Sequence, residues 1–97
     1  MILTKLHKAD KRKIVTLCDK DLIGKVIEDE ELQLDVSEKF YNGSVLEEGE
    51  MIKEIESASS LNIVGEESIK FALKHKLINQ DNLIKIKSVP HAIVISL

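Results

Sequence analysis

Residues 47–77 read EEGEMIKEIESASSLNIVGEESIKFALKHKL, and this stretch decides the fold class. Its first part places four apolar residues at helical spacing, namely Met51, Ile52, Ile55 and Ala58. Glutamates precede them, where the helix dipole favours acids. Ser59, Ser60 and Asn62 interrupt this pattern, and a second helix is predicted from about residue 64 to residue 76. The stretch therefore predicts two consecutive helices.

Strand patterns flank the two helices on both sides. Residues 2–6 and 14–18 are rich in aliphatic and β-branched residues, and the polar residues 7–13 between them predict a β-hairpin. Residues 32–36 alternate in polarity, and residues 83–87 and 92–97 predict the last two strands. The chain is therefore predicted to form a single α+β domain over residues 1–97, a mostly antiparallel sheet with two helices on one face.

Three short motifs predict turns between these elements. Asp19 precedes a single helical turn that Gly24 ends. Asn42-Gly43 predicts a tight turn, because both residues tolerate positive φ. Pro90 cannot donate to a β-ladder, so it is predicted at the beginning or edge of the last strand.

Composition excludes several classes of protein. The 97 residues are 43% hydrophobic and 32% charged, which is typical of a single globular domain. The one cysteine, Cys18, excludes an internal disulfide and a multi-cysteine zinc site. The four glycines form neither a P-loop nor a dinucleotide-binding motif. No secretory signal or apolar run of membrane-spanning length is present, so we expect a cytoplasmic protein without membrane association, cofactor or bound metal.

Charge changes sign along the chain. Residues 1–13 carry a net charge of +4, residues 28–56 carry −9, and residues 70–87 carry +4. We expect the two basic regions to fold beside each other, with the glutamates on the opposite side. The candidate anion-binding residues are Lys8, Lys11, Arg12 and Lys13, because lysines and arginines neutralise phosphates. A solvated hairpin tip is the alternative interpretation.

His91 is the weak catalytic candidate and also a candidate binding residue. An imidazole titrates near neutral pH, and Pro90 would hold its backbone rigid. However, His91 shares strand parity with apolar residues, so a hydrogen-bonded histidine at the edge of the core is the favoured interpretation. We interpret Asp19 and Asp21 as capping residues in preference to metal ligands. We interpret Cys18 as a packed thiol in preference to a nucleophile.

Four blocks of residues occur in an order that resembles a known family. These blocks are Cys18-Asp19 with Leu22-Ile23-Gly24-Lys25, then 32–43, then Asn62-Ile63-Val64-Gly65-Glu66, and finally Val89-Pro90-His91-Ala92. Together they resemble the small archaeal proteins of domain-of-unknown-function family 424. Lys76, Lys87 and Ser88 stand where that family commonly has glycine, and Ile93 stands where it commonly has Gln. The resemblance implies an archaeal cytoplasmic origin and a link to translation, without an assigned activity.

These observations leave three functional hypotheses. The first is a non-catalytic binding module for RNA or a ribosome-associated protein, which the basic hairpin favours. The second is a small enzyme that uses His91 with nearby polar groups. The third is a protein-interaction subunit, for example a homodimer, that uses an edge strand or the acidic helix face.

Overall fold

A computed structural model describes residues 1–95 of the chain. The chain forms seven strands and three α-helices among these residues: β1 (Ile2–Ala9), β2 (Arg12–Asp19), β3 (Val26–Glu28), β4 (Gln33–Asp35), α1 (Glu38–Tyr41), α2 (Glu48–Glu56), β5 (Ser60–Val64), α3 (Glu66–Lys74), β6 (Ile84–Ile86) and β7 (Val89–Ile95). Two single 3₁₀ turns, Lys20–Leu22 and Gln80–Asn82, join neighbouring elements. None of the helices in this part of the chain has the length and apolarity that crossing a membrane requires.

The main sheet has five strands in the order β1-β2-β5-β7-β6. Strands β2 and β5 are parallel, and the other three pairs are antiparallel. Strands β3 and β4 form a separate two-stranded sheet. The α+β class and the mostly antiparallel sheet are therefore confirmed.

The central strand β5 was not predicted, because residues 59–62 look like a polar interruption between helices. Leu61 and Ile63 are fully buried and alternate with the half-buried Ser60 and Asn62, but this alternation covers only four residues between two helical patterns. The second helix consequently begins at Glu66 instead of residue 64. Gly65 precedes it at φ +107°, a conformation that side chains with a Cβ rarely adopt.

The two predicted helices pack on one face of the sheet, as expected. Met51 and Ile55 of α2 and Ile69 and Ala72 of α3 share a core with Leu17 of β2. This set of residues is called the first core here. Each helix buries one apolar stripe and exposes its charged side chains.

The opposite face of the sheet carries a second, smaller core. It contains Cys18, Leu34, Val36, Tyr41, Val64 and Ile86, which come from β2, β4, α1, β5, β6 and the loop before α1. The predicted tight turn at Asn42-Gly43 is wrong, since neither residue has a positive φ. Gly43 is needed for space, because a Cβ there would lie 2.0 Å from the carbonyl oxygen of Thr4.

The first hairpin is longer than predicted. Pairing continues to Ala9 and Arg12, so most of the predicted loop 7–13 belongs to β1 and β2. Only Asp10 and Lys11 form the turn, and Asp10 has φ 57°. Strand β7 begins at Val89, before the predicted residue 92, and residues 96–97 of the predicted strand lie outside the described residues.

Within residues 1–95, the two basic regions meet only at the start of the chain, where Met1 and Ile2 line a cleft with Lys70 and Lys74. Strands β1 and β2 lie at one edge of the sheet, whereas β6, which carries Lys85, lies at the other. The acidic helix α2 is also paired with both regions: Lys13 Nζ lies 3.1 Å from a Glu54 carboxylate oxygen, and Lys74 Nζ lies 3.5 Å from one of Glu48. Charge is therefore interleaved on the helix side.

Candidate functional site

His91 lies in the interior, apart from the basic hairpin. Its Nδ1 donates a hydrogen bond to the carbonyl oxygen of Ile63 at 2.9 Å, and only 8% of the residue is exposed. Its neighbours in the sheet are Val64 and Ile84, at the end of the sheet away from the hairpin tip. The structure therefore does not bring His91 together with the candidate lysines.

The four basic residues of the hairpin divide into two groups. Lys13 donates to Glu54 and Ser57 through Nζ, and its side chain is 13% exposed. It therefore ties the hairpin to α2. Lys8, Lys11 and Arg12 are exposed and able to meet a ligand.

Asp19 and Cys18 hold structural positions. Asp19 accepts hydrogen bonds from the backbone N–H groups of Glu67 and Ser68, so it caps α3 instead of the turn that follows it. The Cys18 thiol is fully buried, and this burial raises its pKa to about 12. A protonated thiol is a poor nucleophile.

A basic pocket lies beside the hairpin, on the face opposite α2 and α3. It has a volume of about 350 Å³ and is lined by Lys5, His7, Ser37, Lys39 and Phe40. Two lysines line it and no acidic residue does. The set is called the basic pocket below.

Local structure explains how these residues meet. Lys5 and His7 are two apart on β1, so they lie on the same face of the sheet. Ser37 caps α1 by accepting a hydrogen bond from the backbone N–H of Phe40 at 3.2 Å. This short helix then holds Lys39 and Phe40 against β1 and β2.

A stacked pair of rings forms one wall of the basic pocket. The ring centroids of His7 and Phe40 are 4.4 Å apart, with 15° between their planes. His7 Nε2 donates to the carbonyl oxygen of Phe40 at 2.9 Å, which fixes the imidazole in this stack. The Thr16 hydroxyl donates to the same oxygen at 3.4 Å. The geometry is thus set by hydrogen bonds from two strands.

Tyr41, next to the stack, is buried and hydrogen bonded inside the protein. Its hydroxyl donates to Asn62 Oδ1 at 3.0 Å. Burial is the main cause that raises its pKa to about 12. Tyr41 therefore orients the Asn62 amide in the sheet and stays neutral at physiological pH.

Three larger clefts offer weaker sites for an anion, and one of them, of about 410 Å³, is lined by Asp29, Glu30, Glu31, Leu32 and Lys85. A cleft of about 630 Å³ between β1 and α2 is lined by Lys5 and Lys53 but also by Glu50 and Glu54. The third cleft, of about 420 Å³, likewise has both signs of charge on its rim. We therefore place the candidate site in the basic pocket, where the charge has one sign.

Sequence reasoning predicted the hairpin cations but missed Lys5, His7, Lys39 and Phe40. The alternation of β1 could have paired Lys5 with His7. Nothing local to α1 indicates that it folds over β1, because its four residues carry no helical periodicity.

Comparisons with known proteins agree with the fold. A family model described as a protein of unknown function (DUF424) matches residues 7–97. No curated protein gives a significant match. The chain is similar in structure to an uncharacterized conserved protein from Methanopyrus kandleri, with a TM-score of 0.81 and 26% sequence identity. That similarity covers 99% of this chain and 91% of the other.

Proposed function

This chain belongs to the DUF424 family of proteins of unknown function, and we propose that it is a non-catalytic module that binds RNA. The observation that carries this proposal is the basic pocket, where Lys5 and Lys39 stand beside a stacked imidazole and phenyl ring without an acidic neighbour in the lining. Arg12, on the same face as the pocket, and Lys11, in the hairpin turn, extend its positive charge, whereas Lys8 lies on the opposite face of β1. The cytoplasm is the compartment that we propose for this function.

Phosphate chemistry suits this arrangement. A polyanion releases counterions when lysines neutralise its phosphates, and this favours binding without any sequence readout. The net charge of the whole chain is −3, so attraction has to be local. A basic pocket continuous with a basic hairpin provides such a local field.

The enzyme hypothesis has less support from the geometry. His91 is its candidate base, and its Nδ1 is committed to the Ile63 carbonyl inside the protein. A general base has to reach a proton of the substrate. Cys18 and Tyr41 both have raised pKa values, which disfavours their use as a nucleophile or a base.

The test is fluorescence anisotropy of a short labelled oligouridylate titrated with the whole chain over a range of salt concentrations. We expect binding that weakens steeply with salt. The double variant Lys5→Gln with Lys39→Gln removes two phosphate contacts, so the salt slope should fall by about 1.4. Affinity near 0.1 M salt should fall by about 20-fold.

The matched control is Lys20→Gln with Lys70→Gln, which changes the net charge equally outside the basic pocket. Both control lysines are exposed, so folding should be preserved. The control should bind the oligonucleotide within about twofold of the natural chain. The proposal fails if no salt-sensitive complex forms, or if both double variants weaken binding equally.

A further inference from the structure

The face of the sheet next to the basic pocket carries two exposed isoleucines beside half-buried apolar and polar side chains. Its side chains are Ile14, Ser60, Asn62, Ile93 and Ile95, and the set is called the open face below. Ile93 is 49% exposed and Ile95 is 66% exposed. Isoleucines this exposed are not explained by the packing of the second core.

Strand register makes the open face continuous with the basic pocket. Ile14 pairs with His7 on one side and with Ser60 on the other, and Ser60 pairs with Ile95. Thr16, whose hydroxyl bonds Phe40, pairs with Asn62. With strands about 4.8 Å apart, the surface from β1 to β7 is about 14 Å wide.

Acidic side chains on this side of the sheet come from β3, β4 and α1, and not from the strands of the open face. Across residues 1–95, no Asp or Glu side chain of β1, β2, β5 or β7 lies on this face. Lys5 and Arg12 lie on it, and Lys39 borders it from α1. A ligand that complements the surface therefore carries negative charge along one border and apolar or aromatic groups beside it.

On the premise that the protein binds RNA as proposed above, we infer that its ligand is single-stranded RNA. Lys5, Lys39 and Arg12 hold the phosphates, while unpaired bases lie against the His7–Phe40 stack and the isoleucines of the open face. A duplex hides the faces of its bases, whereas a single strand exposes them for stacking on aromatic side chains. Asn62, oriented by Tyr41, adds an amide beside the bases.

The experiment compares three probes at pH 8, where an ordinary imidazole is neutral. They are a labelled oligouridylate, an RNA duplex of mixed sequence, and inorganic polyphosphate, which carries charge without bases. We expect the single strand to bind at least about tenfold more tightly than the duplex at equal phosphate concentration. Polyphosphate should displace the oligouridylate only by occupying the cationic side chains that hold its phosphates.

Two variants separate base contacts from charge. His7→Gln removes the ring but keeps a donor for the Phe40 carbonyl, and it should weaken the single strand about tenfold. Ile93→Thr with Ile95→Thr keeps β-branched side chains and should weaken it about three- to tenfold. Neither should change polyphosphate binding. The control, Val26→Thr with Val45→Thr, alters equally exposed apolar residues elsewhere and should change nothing.

The outcomes distinguish this inference from the proposed function. If all three probes bind and these variants have no effect, the single-strand inference is overturned while RNA binding stands. If no probe binds, the proposed function fails and the inference fails with it. If the isoleucine variant instead lowers the molar mass of the protein in solution, a second copy of the chain occupies the open face and the inference is overturned.

Discussion

Asp19 joins the end of β2 to the start of α3 through three hydrogen bonds. Its Oδ1 accepts from the N–H and the hydroxyl of Ser68, at 2.8 and 2.7 Å, and its Oδ2 accepts from the N–H of Glu67 at 3.0 Å. The contact requires glycine at position 65, because a Cβ there would lie 2.2 Å from Asp19 Cγ. The sequence pattern indicated a capping aspartate, and the capped helix proved to be 48 residues away along the chain.

We expect Asp19→Asn to lower the free energy of unfolding by about 2 kcal/mol. The asparagine side chain places an NH₂ donor where Asp19 has an accepting oxygen, so this donor faces an N–H or O–H donor of α3. The negative charge at the helix N-terminus is also lost. Urea unfolding followed by circular dichroism measures this change. Asp21→Asn is the matched control, because Asp21 is exposed, and it should change stability by less than about 0.5 kcal/mol. Equal losses in both variants would contradict the capping interpretation.

At the scale of elements, periodicity predicted those elements that bury one face. Helix α2 and most of α3 follow their predicted patterns for this reason, whereas the first hairpin was predicted from its aliphatic and β-branched residues. Strands β5 and β3 and helix α1 are only five, three and four residues long, so they are too short to show a readable period. The candidate site is divided in the same way. The predicted hairpin cations do not line the basic pocket; Lys5 and His7 follow from the alternation of β1, whereas Lys39 and Phe40 depend on how α1 folds across the sheet.

A residue that follows the end of α3 is also not the one that its backbone conformation favours. Lys76 has φ 58°, and the N–H groups of Lys76 and Leu77 donate to the carbonyls of Leu73 and Ala72. This is the Schellman arrangement, in which glycine is usual at the position of Lys76. The next hairpin turn repeats the feature, since Lys87 and Ser88 also have positive φ.

We expect Lys76→Gly to raise the free energy of unfolding by about 0.5–1 kcal/mol. Glycine relieves left-handed strain of about 1–2 kcal/mol, and its greater freedom in the unfolded chain offsets part of that gain. Lys70→Gly, within α3, is the matched control and should cost about 1 kcal/mol. Thermal or urea unfolding measures whether each variant gains or loses stability. A loss of stability in Lys76→Gly would show that the lysine side chain matters more than its backbone conformation.

At the scale of the whole molecule, the two cores are built on opposite faces of the same strands. Leu17 belongs to the first core, and its neighbour Cys18 belongs to the second. Ile63 and Val64 of β5 divide in the same way. Because successive side chains of a strand point to opposite faces, neither core can lose its strands while the other keeps them. The same alternation separates the side covered by α2 and α3 from the side that carries the basic pocket.

We therefore expect both cores to unfold in one transition. Tyr41 is the only tyrosine, so its fluorescence reports the second core, while far-ultraviolet circular dichroism mainly reports the helices that cover the first core. The two urea curves should coincide, as they do for two-state domains. Ile55→Val in the first core and Ile86→Val in the second should each cost about 1 kcal/mol and shift both curves equally. If Ile86→Val moved the tyrosine curve alone, the second core would be an independently unfolding layer. RNA bound to the basic pocket beside that core would then stabilise only that layer.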